Sequence, residues 1–165
     1  MIIGYKAFNS DLTNRYGIKF EVGKIYLSTG AIRFGNNGNG FHLCKNIEDT
    51  FRFFNPKKMT ICKVVGSGNF LENNRPEDEY YGFSDMYAVE KLQVLKELTR
   101  TEIIQEGLKL NELRAHRFVS SFPLTEEEII LFKEKFKDSI KVIDAIAYYQ
   151  ENDKEIYWRK NGIKR

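Results

Sequence analysis

Cysteine is scarce in this chain, and several other features are missing altogether. Only Cys44 and Cys62 occur among 165 residues. They are too few for a disulfide framework, and their separation matches no zinc motif. No apolar run is long enough to span a bilayer. The N-terminal stretch from Met1 to Lys6 lacks the basic region and extended apolar segment of a signal peptide. A cytoplasmic protein with free thiols and no membrane partner is therefore expected. A strong basic excess is also absent: 26 basic residues against 23 acidic ones leave a formal charge of +3. General nucleic-acid binders usually carry a larger or more clustered excess. Internal repeats and the glycine fingerprint of a dinucleotide fold are missing too, so a doubly wound sheet is not expected.

What is present is an aromatic-rich globular composition, 42% hydrophobic and 14% aromatic, and a length sufficient for one domain with a proper core, or for one domain plus a small helical appendage. Ile2 to Phe8 alternates as a strand, with Ile3, Tyr5 and Ala7 on one face and Ile2, Lys6 and Phe8 near the other. Asn9 to Asn14 is turn chemistry, because such side chains bond to nearby backbone. Phe20 to Tyr26 offers a short strand pair punctuated by Gly23, and Ala31 to Phe34 leads into a turn rich in glycine and asparagine. Gly40 to Asn46 alternates again. Asn46, with Asp49 three residues on, then switches the chain into a short helix ending near Phe54. Thr60 to Ser67 is β-branched and suits a central strand, with Gly66 and Gly68 marking a bulge or turn at its end. Phe70 to Ser84 is irregular, and Met86 to Leu95 reads as a strand carrying a bulge.

From Thr99 the texture changes. Thr99 with Glu102, and Thr125 with Glu128, are capping boxes. Ile103, Ile104, Leu108, Leu110 and Leu113 follow the first at helical spacing; Ile129, Ile130, Phe132 and Phe136 follow the second. Ile140, Ile143, Ile146 and Ala147 form a third apolar stripe. The expected division is a β-rich part over 1–98 and a helical part over 99–165. The expected class is α+β: a small antiparallel or mixed sheet with one short helix, followed by two or three helices.

Candidate sites are few. His42 and Cys44 share a face of the Gly40–Asn46 strand, but a nucleophilic pair also needs a third orienting group. A buried cysteine beside a partly exposed histidine is the simpler reading. His42, Cys44, Cys62 and His116 are metal-ligand types without supporting spacing. The aromatics Tyr80, Tyr81, Phe83 and Tyr87 could anchor a protein interface or stack on bases, or they cover the sheet.

Gly4-Tyr-Lys-Ala-Phe-Asn9, Glu21-Val-Gly-Lys24 and Gly40-Phe-His-Leu-Cys44 together resemble a family of uncharacterised bacterial and phage or prophage proteins, over about the first 65 residues. That resemblance implies a phage or mobile-element setting and assigns no catalytic residue. A weaker likeness is to ADP-ribosyltransferase folds. Lys6 stands where their arginine would, Phe41-His42-Leu43 where their central strand would, and Glu79 or Glu90 as the late glutamate. That likeness implies NAD as cofactor, with Lys6, His42, Glu79 and Glu90 as its site. The function expected first is non-enzymatic binding of a host protein or protein complex, without a cofactor, as in counter-defence inhibition. Tyr80, Tyr81, Phe83 and Tyr87, or the helical half, would supply its contacts. The NAD-using enzyme and a nucleic-acid-binding module are the alternatives.

Overall fold

The computed structural model describes residues 1–34, 38–52, 55–73 and 86–152. The chain divides into two compact units, one formed by 1–50 with 59–98 and the other by 51–58 with 99–165.

The first unit holds five strands: β1 (Ile2–Asn9), β2 (Ile25–Leu27), β3 (Phe41–Cys44), β4 (Met59–Asn73) and β5 (Met86–Glu97). Their order in the sheet is β2-β5-β3-β1-β4, and β4 also pairs with β5. All strand pairs are antiparallel. Strands β1, β3, β5 and β4 therefore form a closed circuit, with β2 as an extra strand along β5. The α+β class holds, with an antiparallel sheet.

Closing so small a circuit requires the strands to approach one another closely. Leu43 of β3 is fully buried. It lies where Gly4 of β1 and Gly66 of β4 present no side chain. A Cβ on Gly4 would stand 2.5 Å from Leu43 Cδ1 and 2.4 Å from the Cys44 carbonyl oxygen. On Gly66 it would stand 2.6 Å from Val89 Cγ1 and 2.9 Å from Leu43 Cδ2. Both positions are thus closed to any larger residue, while burying Leu43 contributes about 2 kcal/mol. Around it Phe8, Phe20, Cys62, Val64, Val89, Leu92 and Val94 complete the core. Phe20 comes from the loop after β1 and places its ring 5.1 Å from Phe8 and 4.6 Å from Tyr26. That loop is built by its own side chains. Asp11 Oδ1 accepts from the Thr13 N–H at 3.1 Å, and Asn14 Oδ1 accepts from Tyr16 and Ile18 N–H at 2.9 and 3.0 Å.

The β4–β5 ladder is longer than the sequence suggests. Phe70 does not open a loop: after a bulge between Ser67 and Phe70, pairing resumes at Phe70–Val89 and runs to Asn73–Met86. A second irregularity, between Lys63 and Val64 on β4, leaves Leu95 of β5 as the extra residue. The short helix after β3 is a 3-10 helix over Ile47–Arg52.

In the second unit the described residues carry four α-helices, α1 (Arg100–Leu108), α2 (Glu112–Ser121), α3 (Glu126–Lys135) and α4 (Ile140–Ile146). A π-helical turn over Ala147–Glu151 follows them. Both capping boxes form. The stretch read as one helix through Leu113 is two, because Asn111 accepts from the Arg114 N–H at 2.9 Å and starts a new one. The third stripe is also displaced. Ser139 caps α4, so Ile140 sits at its exposed start, while Val142, Ala145 and Ile146 face inward. Phe118 gathers this unit, with Phe51, Phe122 and Phe132 rings 5.2, 5.4 and 5.3 Å away. Buried Gln150 donates to the carbonyls of Val119 and Phe122 at 2.5 and 2.8 Å and accepts from the Leu124 N–H at 3.0 Å.

Gly66→Ala is expected to cost about 1–3 kcal/mol in urea unfolding. Gly4→Ala should cost more, since a backbone carbonyl cannot move aside as a side chain can. Adding Val89→Ala should recover part of the loss at Gly66 and none at Gly4. Equal losses, or no coupling between Gly66 and Val89, would contradict this packing.

Candidate functional site

The seam between β1 and β3 gathers the polar groups that the sequence singles out. Their ladder consists of one pair, Tyr5–Cys44. Beyond it a side chain takes over, as Lys6 Nζ donates to the His42 carbonyl at 2.6 Å. The Lys6 ammonium lies 5.9 Å from the centre of the Phe8 ring, and no carboxylate among the described residues is bonded to it. Burial pushes its pKa down to about 8; the Cys44 sulfur opposes that shift and the Arg15 charge adds to it.

His42 is half-buried beside Phe34, ring centres 5.4 Å apart. Its Nε2 is buried and has no hydrogen-bond partner among the described residues. Burial and then the Lys6 charge hold its pKa below the ordinary imidazole value. A hydrogen bond with the Arg33 backbone works the other way, and Arg15 lowers it further. Arg15 is exposed, with its guanidinium 4.9 Å over the Tyr16 ring and bonded to the Tyr16 hydroxyl at 2.7 Å.

The remaining sequence candidates lie elsewhere or outside the described residues. Glu90 belongs to the other edge of β5, where its carboxylate accepts from the Asn69 N–H at 2.9 Å in the β4 bulge. His42 pairs across β3–β5 with Ala88. The structure therefore brings Lys6 and His42 together and engages Glu90 at the bulge. Glu79, Tyr80, Tyr81 and Phe83 fall outside the described residues. Tyr87 covers the sheet: its hydroxyl donates to Glu72 at 3.2 Å, and its ring meets Phe70 edge-on at 6.1 Å. Lys45, bonded to Glu72, lies 4.7 Å over the same ring.

Cys44 and Cys62 form no disulfide, and both are buried. Burial, reinforced by Glu97, pushes the Cys62 thiol up to about 12, which leaves it a poor nucleophile. Among the described residues no three His, Cys, Asp or Glu side chains converge as a metal site would require.

The sequence reading overlooked a third feature, the exposed apolar stretch before and along β2. Tyr16, Ile18, Val22, Ile25 and Leu27 are 68, 55, 50, 62 and 60% exposed. Among the described residues β2 pairs with β5 alone. Ser28 donates to the Glu90 carbonyl at 2.8 Å. In an antiparallel ladder this register turns the N–H and C=O groups of Ile25 and Leu27 away from β5. For Ile25 and Leu27 the signal that could have found them is the strand alternation that turns half-buried Tyr26 toward the core and both of its neighbours outward.

The depressed Lys6 pKa has a consequence for stability. The unfolded chain titrates this group near 10.5 and the folded chain at about 8. Between those values the unfolded state binds more protons, so the stability that this group contributes rises with pH. In denaturant melts across that window, wild type is expected to gain on Lys6→Met as pH increases. A constant difference would contradict a buried ammonium.

The family model described as a domain of unknown function, DUF7666, matches residues 2–106, taking in all five strands and most of α1. No curated protein and no solved structure matches the chain. No helix among the described residues is long and apolar enough to cross a membrane. With all of its first unit but Met1 inside that match, the chain belongs to the DUF7666 family.

Proposed function

We propose that this is a small, non-enzymatic binding protein of phage or prophage type that engages a host protein. Blocking a host defence protein is the role such binding would serve. The observation that carries the reading is the cluster of exposed apolar side chains between Tyr16 and Leu27, with β2 as an edge strand. Hydrophobic side chains scattered singly over a surface need no explanation; five within twelve residues favour a contact surface. An edge strand with outward isoleucine and leucine also suits a partner that adds a strand, since its backbone bonds and the two side chains would act together. Support for the phage setting comes from the resemblance carried by residues 4–9, 21–24 and 40–44. The enzymatic reading is less well supported, because Glu90 is engaged at the β4 bulge rather than beside Lys6 and His42.

The double variant Ile25→Asp, Leu27→Asp tests the proposal. Both side chains are exposed, so its unfolding midpoint should stay close to that of wild type. Capture of a host protein from lysate is expected to fall at least tenfold. The captured partner should protect amides over 22–28 from hydrogen exchange in the wild-type complex. Undiminished capture by the folded variant would overturn the proposal.

A further inference from the structure

We infer that the host protein engaged through β2 presents a carboxylate-rich surface to the outer face of this sheet, an inference that rests on the binding role proposed above. The outer face is the one turned away from Leu43, and the strand register carries the β2 surface well beyond its edge. Ile25 of β2 is the cross-strand partner of Gln93 on β5, Gln93 that of Val65 on β4, and Val65 that of Ile3 on β1. Alternation with the buried Leu92, Val94 and Val64 turns Gln93 and Val65 outward. Ile25 and Ile3, at the two ends of this row, are 62 and 61% exposed. A second row sets Leu27 beside Lys91, and a third sets Lys96 opposite Lys63.

The charge on this face has one sign. Lys63, Lys91 and Lys96 occupy it, and none of the positions paired in these rows holds an aspartate or glutamate. Glu21, the acid nearest to β2 in the sequence, is itself paired with Lys24 at 3.4 Å. Lys63 and Lys96 stand directly opposite each other, where like charges repel. Carboxylates of a partner would offset that repulsion while its apolar side chains cover Ile3, Ile25 and Leu27, so charge and hydrophobic contact act on one surface. The aliphatic side chains set the class of partner. A nucleic acid needs rings on which its bases can stack. The rows supply one, half-buried Tyr5, the cross-strand partner of Lys63. An acidic protein surface uses the isoleucines and the leucine as well as the lysines.

The probe is a capped peptide, Glu-Ile-Thr-Val-Glu-Ile-Glu, with a counterpart in which every glutamate is lysine. In two-dimensional amide NMR spectra the acidic peptide should shift amides over 3–5, 63–67 and 91–96 saturably, and the basic peptide should not. Raising sodium chloride from about 0.05 to about 0.5 M shortens the screening length and should weaken the apparent Kd by about threefold or more. The double variant Lys63→Gln, Lys91→Gln should weaken binding by a similar factor. Its unfolding midpoint should be no lower than that of wild type, because one of two opposed charges is gone. The inference is overturned if the acidic peptide leaves these amides unmoved, if the two peptides bind alike, or if the folded lysine variant binds as wild type does. Tighter binding of the same face by a thymidine oligonucleotide, or by vesicles of phosphatidylcholine and phosphatidylserine, also overturns it. Capture of host protein from lysate separates the acidic partner from the β2 contact itself. Capture that survives Lys63→Gln, Lys91→Gln and is lost in Ile25→Asp, Leu27→Asp overturns the acidic partner alone; capture that survives in both variants overturns both.

Discussion

Leu43 is fully buried against two missing side chains. Gly4 and Gly66 leave the space that its methyl groups occupy, and a Cβ at either would lie 2.9 Å or less from them. That fit lets β3 lie against β1 on one side and β5 on the other, closing the strand circuit. Burial of one leucine contributes only a few kcal/mol. The geometric consequence is larger, because the packing of Phe8, Val64 and Val89 depends on strands held this close.

The same closeness accounts for the polar seam. β1 and β3 share one ladder pair, and beyond it the carbonyl of His42 accepts a hydrogen bond from the Lys6 ammonium. An ammonium used in this way loses hydration, and its pKa falls. The cost of the seam is an ammonium that no carboxylate among the described residues bonds. The apolar exposure along β2 arises separately, from a strand that turns Tyr26 toward the core and Ile25 and Leu27 outward.

Much of the fold was legible in local patterns. Alternation located β1 and β3, Gly66 and Gly68 marked the bulge of β4, and the two Thr-x-x-Glu boxes located the starts of α1 and α3. Long-range consequences were not legible. Nothing local shows that Gly4 and Gly66 face one leucine, because that depends on the pairing of three strands. The phase of α4 was misjudged because a cap at Ser139 sets where the helix begins, while the isoleucines alone suggested another face. Lys6 and His42 were both noted from the sequence, yet their meeting runs through a backbone carbonyl that no motif encodes. Of the four aromatics singled out, Tyr80, Tyr81 and Phe83 lie outside the described residues, and Tyr87 has its hydroxyl and ring engaged by Glu72, Phe70 and Lys45.

The central claim is that β3 belongs to the same cooperative unit as β4 and β5, held there by Leu43 over its two glycines. Native-state hydrogen exchange reads this directly. The β3 amides bonded to β5 should open with the same free energy as those in the middle of the β4–β5 ladder. Their dependence on denaturant should also match that of global unfolding. Exchange of β3 through a separate opening of lower free energy, with β4 and β5 still protected, would contradict the account.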